Sequence, residues 1–219
     1  MPYIRQIMSK RAVDPLLLNA WLSGRSVARG LPLPVPDHGG FRVDTNSDSE
    51  VARWVFASRV AGLQRLAHSI TEPRYFLKLC GTAEELQASL PGGWELHAQR
   101  YFMQARAVPL ERRLTEEYRI EIKHDGMVWQ ARIFSKTGAL AASGYAAETR
   151  EAFVYDRIVT EPQHRRKGLG HALMKNLGAA KRHSQIPELL VATEEGMALY
   201  SSIGWETISL YSTASIAMP

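Results

Sequence analysis

Residues 151–170 read Glu-Ala-Phe-Val-Tyr-Asp-Arg-Ile-Val-Thr-Glu-Pro-Gln-His-Arg-Arg-Lys-Gly-Leu-Gly, and this stretch decides the fold. Its first ten residues are rich in Phe, Val, Tyr and Ile, which predicts a strand from Glu151 to Thr160. Apolar residues at positions 169, 172, 173, 177 and 180 follow at helical spacing and predict a helix from Leu169 to His183. A strand therefore leads through a basic loop with two glycines into a helix.

The loop between this strand and helix has the features of an anion site. The first turn of a helix leaves backbone N–H groups without partners, and the helix dipole adds partial positive charge there. Gly168 and Gly170 lack the side chains that would keep an anion away from these amides. Arg165, Arg166 and Lys167 add full charges at the same place. The sequence therefore predicts a cradle for a diphosphate, although neither the nucleotide-triphosphate loop nor the dinucleotide Gly-x-Gly-x-x-Gly pattern is present.

The charge of the chain is concentrated around this loop. The chain has 219 residues and a net charge of +5. The stretch from Asp156 to Arg182 has seven basic and two acidic residues, so it carries the whole excess. Such a local surplus suggests a bound anion, and a solvated basic helix face is the alternative. Nucleic-acid binding is disfavoured because no aromatic residues alternate with the basic ones.

The composition is that of an ordinary globular protein, with 45% hydrophobic and 22% charged residues. A chain of this length can bury a core without disulfides or metals. The single cysteine, Cys80, can form neither an internal disulfide nor a Cys-x-x-Cys zinc site, so we expect a reducing cytoplasm and no metal. No apolar run reaches the ~18 residues of a membrane span, so no membrane association is expected.

Turn signals and periodicity predict the remaining elements. In the first half we expect helices at Pro15–Arg29 with Asp14 as cap, from Asp48 or Ser49 to Ala57, at Ala61–Ser69 and at Thr82–Leu90, and strands at Phe41–Thr45, Tyr75–Cys80 and Trp94–Val108. In the second half we expect a helix at Glu194–Ile203 with Thr193 as cap, and strands at Tyr118–Lys123, Met127–Ser135, Ala139–Ala147, Glu188–Ala192 and Trp205–Ala217.

A short repeat suggests that the two halves are related. The triplet Gly93-Trp94-Glu95 recurs as Gly204-Trp205-Glu206, and each copy follows a predicted strand and helix. The copies lie half a chain length apart, which indicates two related halves, residues 1–108 and 109–219. Chance recurrence of a tripeptide is the alternative.

The loop resembles the signature of the GNAT acyltransferase superfamily, Arg/Gln-x-x-Gly-x-Gly/Ala, at Arg165, Gly168 and Gly170. The resemblance continues through residues 193–206 and covers about residues 110–219. It implies an α/β fold with a mixed, mostly antiparallel, twisted sheet flanked by helices. The first half has no Gly-x-Gly at the corresponding place, so we interpret it as a degenerate GNAT-like half in tandem with the GNAT domain.

The resemblance also implies the activity, which is direct transfer of an acetyl group from acetyl-CoA to a primary amine. The acceptor would be a small molecule or a peptide, and homodimer formation is left open. A catalytically silent acyl-CoA-binding module that regulates or interacts with other proteins is the alternative. The strand edge would pair with the pantetheine arm and the loop would hold the pyrophosphate, through Ile158, Val159, Thr160, Arg165, Arg166, Lys167, Gly168, Leu169 and Gly170.

Two residues are the candidates for proton transfer in this reaction. Tyr200 stands where many family members have a tyrosine, and a phenol that keeps its proton at pH 7 can donate it to a thiolate. A core aromatic is the alternative for Tyr200. Asp156 would be the base, since an acid within an apolar strand needs a partner, but an ion pair or an exposed acid would explain it equally well. Glu151 and a water molecule are the other candidate bases.

Overall fold

The computed structural model of the chain describes residues 12–107 and 114–217. The predicted boundary between residues 108 and 109 lies outside the described residues. The helices are α1 (Pro15–Arg29), α2 (Ala61–Ser69), α3 (Ala83–Gln87), α4 (Leu169–Gly178) and α5 (Glu194–Ser202), with a 3-10 turn at Pro162–His164. The strands are β1 (Val35–Asp37), β2 (Gly40–Asp44), β3 (Ala52–Phe56), β4 (Tyr75–Cys80), β5 (Trp94–Leu96), β6 (Arg100–Ala105), β7 (Tyr118–Asp125), β8 (Val128–Ser135), β9 (Leu140–Glu148), β10 (Phe153–Thr160), β11 (Glu188–Ala192) and β12 (Trp205–Ile216).

All of these strands belong to one sheet. Its order is β1-β2-β3-β4-β12-β6-β11-β10-β9-β8-β7, and β5 pairs with the end of β12. The pairs β3–β4 and β10–β11 are parallel, and the other pairs in the described part of the chain are antiparallel. The predicted α/β fold with a mixed, mostly antiparallel sheet and flanking helices is therefore confirmed.

The two halves of the chain share the centre of this sheet. Strand β12, from the end of the chain, lies between β4 and β6 of the first half, and β6 in turn separates β12 from β11. In each half an antiparallel ribbon leads into a parallel strand–helix–strand unit, β3-α2-β4 in the first and β10-α4-β11 in the second. This shared order supports the predicted relation between the halves, which stays a prediction.

The predicted helix from Asp48 or Ser49 to Ala57 is wrong, because this stretch contains strand β3. All five residues of β3 are buried, so the stretch shows none of the alternation that marks a half-exposed strand. The reason is its position, because β3 pairs in parallel with β4 and is covered by helices on both faces.

Most other elements lie where they are predicted. The bounds of α1, α2, β4 and β11 agree with the prediction, and the carboxylate of Asp14 accepts the N–H of Leu16 at 2.9 Å as the expected cap. Helix α4 ends at Gly178, earlier than predicted, because the backbone amides of Arg182 and His183 donate to the carboxylate of Glu148 at 3.0 and 2.9 Å. The strand predicted from Trp94 onward is divided into β5 and β6.

The helices cover the two faces of the sheet unequally. Of the helices in the described part of the chain, only α1 packs on one face, with Trp21 and Leu22 against Phe102, Val154 and Tyr211. On the opposite face α4 packs over β8, β9 and β10 and α5 over β6, β11 and β12, while α2 and α3 pack over β3, β4 and β12. In the described part of the chain, no helix is long and apolar enough to cross a membrane.

Helix α1 approaches β10 most closely at Gly24. A Cβ atom at this position would lie 2.4 Å from Cγ2 of Val154, which is far inside contact distance. Both residues are buried. The absent side chain therefore sets the distance at which α1 holds its later residues Arg25 and Arg29 over the strand.

We expect Gly24→Ala to destabilise the fold by about 1–2 kcal/mol, measured by urea unfolding. Overpacking a core costs about 1–3 kcal/mol, and the better helix propensity of Ala offsets about 1 kcal/mol of that cost. Val154→Ala, measured alone and in combination, completes the double-mutant cycle and should recover part of the loss. A Gly24→Ala protein as stable as the parent would show that this contact does not limit the packing.

Candidate active site

The site is a cleft between two strands that begin as neighbours and then separate. Strands β10 and β11 pair only at Phe153 with Glu188 and at Val154 with Leu189. Beyond these pairs the strands diverge around a cavity of about 590 Å³, lined by residues 155–159 of β10 and 190–193 at the end of β11. This volume lies within the range of ~300–1,000 Å³ that is usual for small-molecule sites.

A bulge in β10 turns its outer part toward the cleft. The register with β9 shifts between Asp156 and Val159, and Arg157 adopts a left-handed backbone with a φ of 53°. After the bulge, Val159 and Thr160 pair with β9 on one side only. Their other edge has no partner strand among the described residues, and Val159 is 49% exposed. Ile158, Val159 and Thr160, which are predicted to lie beside the pantetheine arm, form this edge.

Tyr200 reaches the cleft from α5. The hydroxyl of Thr193 accepts the N–H of Gly196 at 3.0 Å and caps this helix as predicted. Tyr200 lines the cleft with only 6% of its surface exposed, and its ring packs near Trp205. Burial raises the pKa of Tyr200 well above its ordinary value, so the phenol keeps its proton at neutral pH. Tyr200 is thus both a core aromatic and a protonated group at the cleft.

The loop before α4 combines an unusual backbone with an uncapped helix start. Arg166 and Gly168 have left-handed φ values of 64° and 79°. Gly168 is the N-cap residue, no side chain caps the helix, and the amides of Leu169 and Gly170 have no hydrogen-bond partner among the described residues. Left-handed residues in such loops direct neighbouring amides into a common concavity. The loop therefore has the geometry of an anion-binding turn.

The two glycines of the loop have different roles. Gly168 provides the left-handed conformation. Gly170 is buried, and a Cβ atom there would lie 2.7 Å from Cδ2 of Leu199 on α5. Both glycines are predicted to open the amides, and in the structure Gly170 also lets α5 pack closely against α4.

The three cations of the loop lie at the protein surface near the start of α4. Arg165 pairs with Glu195 at 3.5 Å. Lys167 lies over the ring of Tyr118, and hydrogen bonding to the Tyr118 hydroxyl raises the pKa of Lys167.

Asp156 lies in the cleft and is held by arginines. Its carboxylate accepts two bonds from Arg29, at 2.6 and 2.9 Å, and lies 3.2 Å from Arg157 and 3.9 Å from Arg25. Helix α1 supplies two of these three guanidinium groups. Glu151, the other candidate carboxylate, is exposed at the opposite end of β10 and lines a separate cavity.

Several cleft residues come from the first half of the chain and were not among the predicted site residues. They are Arg25, Arg29, Lys78, His97 and Arg100. One of them, Lys78, could have been found from the sequence. It interrupts the apolar run Tyr75–Cys80, and a charged residue in such a run needs a polar partner. The arginines of α1 gave no signal, since their partner Asp156 is distant in sequence.

Comparison with known proteins identifies the fold. Residues 124–207 match the family model described as an acetyltransferase (GNAT) domain, and no curated protein matches significantly. A GCN5-related N-acetyltransferase from Kribbella flavida is similar with a TM-score of 0.65 at 11% identity, over 95% of this chain and 98% of that chain. A GNAT-family protein from Novosphingobium aromaticivorans has a TM-score of 0.57 at 14% identity, over 94% and 100% of the two chains. A GCN5-related N-acetyltransferase from Sphaerobacter thermophilus has a TM-score of 0.56 at 12% identity, over 94% of each chain.

Identities this low show a common fold and nothing finer. The similarity nevertheless extends over nearly the whole chain, and the family model independently matches residues 124–207, which contain the loop and the part of the cleft formed by β10, β11 and α5. The chain therefore has the GNAT fold, and residues 124–207 within its C-terminal half match the GNAT acetyltransferase domain.

Proposed function

We propose that this protein transfers an acetyl group from acetyl-CoA to a primary amine of a small molecule or peptide. The GNAT acetyltransferase domain supports acyl transfer in general. The observation that carries the finer proposal is the cleft between β10 and β11, which places the protonated, buried Tyr200 beside the unpaired edge of β10.

The residues present fit acetyl-CoA. The free amides of Leu169 and Gly170, with the left-handed turn before them, suit a diphosphate. Arg165, Arg166 and Lys167 would add charge at the rim. The edge of β10 from Ile158 to Thr160 offers backbone groups to the amides of a pantetheine arm, much as a strand edge accepts an extended peptide.

Different groups in the cleft would carry out the separate steps of the acetyl transfer. Acetyl-CoA supplies an acyl carbon with a thiolate leaving group, and the amine nitrogen forms its bond to that carbon as the C–S bond breaks. Tyr200 would donate its proton to the sulfur, and a backbone N–H near Val159 would stabilise the negative charge on the acyl oxygen. The amine proton would leave to water or to Asp156.

The direct test is release of free thiol from acetyl-CoA in the presence of a panel of amines. We expect thiol release that depends on the amine. Normal CoA binding with no thiol release for any amine would contradict transferase activity and favour a silent acyl-CoA-binding module.

Tyr200→Phe should lower kcat by about 10²–10⁴-fold, because acid catalysis by a positioned group contributes this much. The CoA affinity, measured by calorimetry, should not change. Tyr75→Phe is the matched control, since Tyr75 lies on β4 outside the cleft, against Trp54, and should leave kcat unchanged. If Tyr200→Phe keeps kcat within about twofold, Tyr200 is not the acid.

Gly168→Ala should weaken CoA binding by about tenfold, since a left-handed alanine costs about 1–2 kcal/mol and the relaxed loop would have to be strained again on binding. Acetyl-pantetheine has no diphosphate, so the KM for that donor should be unaffected. Gly138→Ala is the control, because Gly138 is also left-handed, with a φ of 84°, but lies in the turn before β9 with open space around it. Equal losses for both donors would refute the diphosphate cradle.

Asp156→Asn should raise the acceptor KM more than it lowers kcat. Both carboxylate oxygens already accept N–H groups of Arg29, so the structure supports an anchoring role on the acceptor side. Steady-state kinetics separates the two roles. A fall in kcat at unchanged KM would instead establish Asp156 as the base.

A further inference from the structure

The side of the cleft that α1 covers has an unbalanced positive charge. Among the described residues that line the cleft, five are cations and Asp156 is the single carboxylate; the cations are Arg25, Arg29, Lys78, Arg100 and Arg157. Like charges gathered in a partly buried cavity repel one another, and an anionic ligand relieves that repulsion.

Asp156 balances only the arginines. It contacts Arg29, Arg157 and Arg25, at distances that lengthen in that order from 2.6 to 3.9 Å. Burial, and then the neighbouring Arg29, lower the pKa of Arg25 against the opposing effect of Asp156. Glu50 also attracts Arg25 and Lys78, but it is paired with Arg53 at 2.5 Å and does not line the cleft.

Within residues 12–107 and 114–217, Lys78 has no counter-ion at contact distance. Its neighbours Leu77 and Leu79 pack against α2 and α3, so Lys78 points to the other face of the sheet, toward the cleft. Its Nζ lies 5.0 Å from the centre of the Phe76 ring, and no described residue gives it a hydrogen bond or an ion pair. Burial is the main reason that the pKa of Lys78 falls to about 8; Glu50 opposes the shift, whereas Arg25, Arg29 and Arg100 add to it.

Arg100 is the second cation of the cleft without an ion pair among the described residues. It is exposed at the start of β6, where it pairs in register with Tyr211 of β12. The diphosphate of CoA is assigned to the start of α4, beyond the outer end of β10. The diphosphate therefore does not balance the cations on the α1 side, and another anion would have to do so.

We propose that the α1 side of the cleft binds a small amine that carries its own anionic group, a carboxylate or a phosphate, through Lys78 and Arg100. This proposal rests on the proposed function, and together they imply that the acetyl acceptor is an amine with an anionic group. Ion-paired hydrogen bonds from a lysine and an arginine suit either oxyanion.

Matched pairs of amines test the anionic group. β-Alanine is compared with β-alaninamide, O-phosphoethanolamine with ethanolamine, and α-amino acids with their amides, in calorimetric titrations of the CoA-loaded protein and in the thiol assay. The anionic member should bind at least tenfold more tightly, and the better of the carboxylate and phosphate pairs identifies the oxyanion. Equal affinity within all pairs, preference for the neutral members, or no binding of any amine would overturn the proposal.

Variants at the two cations locate the binding. Lys78→Met and Arg100→Gln should each weaken binding of the anionic amine by about tenfold to a hundredfold, the usual value of a bond to a charged group. Binding of the neutral amine and of CoA should not change. Lys136→Met and Arg59→Gln are the controls, since both residues are exposed and lie outside the cleft. If these variants also bind CoA more weakly but bind dephospho-CoA as well as the parent does, the two cations hold the 3′-phosphate of CoA. That result would overturn the proposal.

A stability measurement separates binding from structural support. Because burial lowers the pKa of Lys78, its charge destabilises the fold below about pH 8, where Lys78 is protonated in both the folded and unfolded chain. Lys78→Met should therefore raise Tm at pH 7, and the gain should shrink as the pH rises from about 8 toward 10.5. A fall in Tm that parallels the loss of binding would show a structural role instead.

The outcomes for the two proposals are distinct. Tight binding of anionic amines without thiol release would contradict the transferase activity and keep the anionic site. Thiol release with neutral amines, unaffected by Lys78→Met, would keep the activity and reject the anionic acceptor.

Discussion

The separation of β10 from β11 is the constraint on which the rest of the site depends. The two strands share only two register pairs because each follows a different neighbour. Strand β11 continues along β6 through four pairs, while β10 stays with β9 across a bulge. At that bulge the Arg157 guanidinium lies over the Tyr145 ring at 3.8 Å, and Asp156 is held by Arg29 of α1. Packing and ion pairing thus keep open a gap that continued parallel pairing would close.

Because β6 of the first half lies between β11 and β12 of the second half, the first half contributes residues to this cleft. Because β6 and β12 lie between β11 and β4, residues of all these strands face one cavity. The helix of the first-half unit, α2, begins differently from α4. A Cβ atom at Gly62 would lie 1.7 Å from the carbonyl oxygen of His38, so the protein's own backbone occupies the place beside this helix start. This supports the interpretation of the first half as a degenerate GNAT-like half, which stays a prediction.

The sequence predicted local features well and long-range ones poorly. The stretch 151–170 and helix α1 could be predicted because their spacing and caps lie within a few consecutive residues. Strand β3 could not, since burial on both faces removes its periodicity and Asp48 and Ser49 before it look like helix caps. The grouping of Arg29 with Asp156 was equally invisible, because only the packing of α1 on β10 brings together residues 127 positions apart.

The loop at the start of α4 and the α1 side of the cleft rely on different physics, and this separates what the fold supplies from what the side chains supply. At the start of α4 the donors are main-chain amides, which any sequence with the same backbone presents. At the α1 side the donors are side chains such as Lys78 and Arg100, which a single substitution removes. Solved GNAT structures keep this fold at 11–14% identity, so a backbone-based cradle can persist while side chains change. If the proposed function holds, the identity of the acceptor would therefore be determined by side chains around the α1 side of the cleft, most of which the first half of the chain contributes.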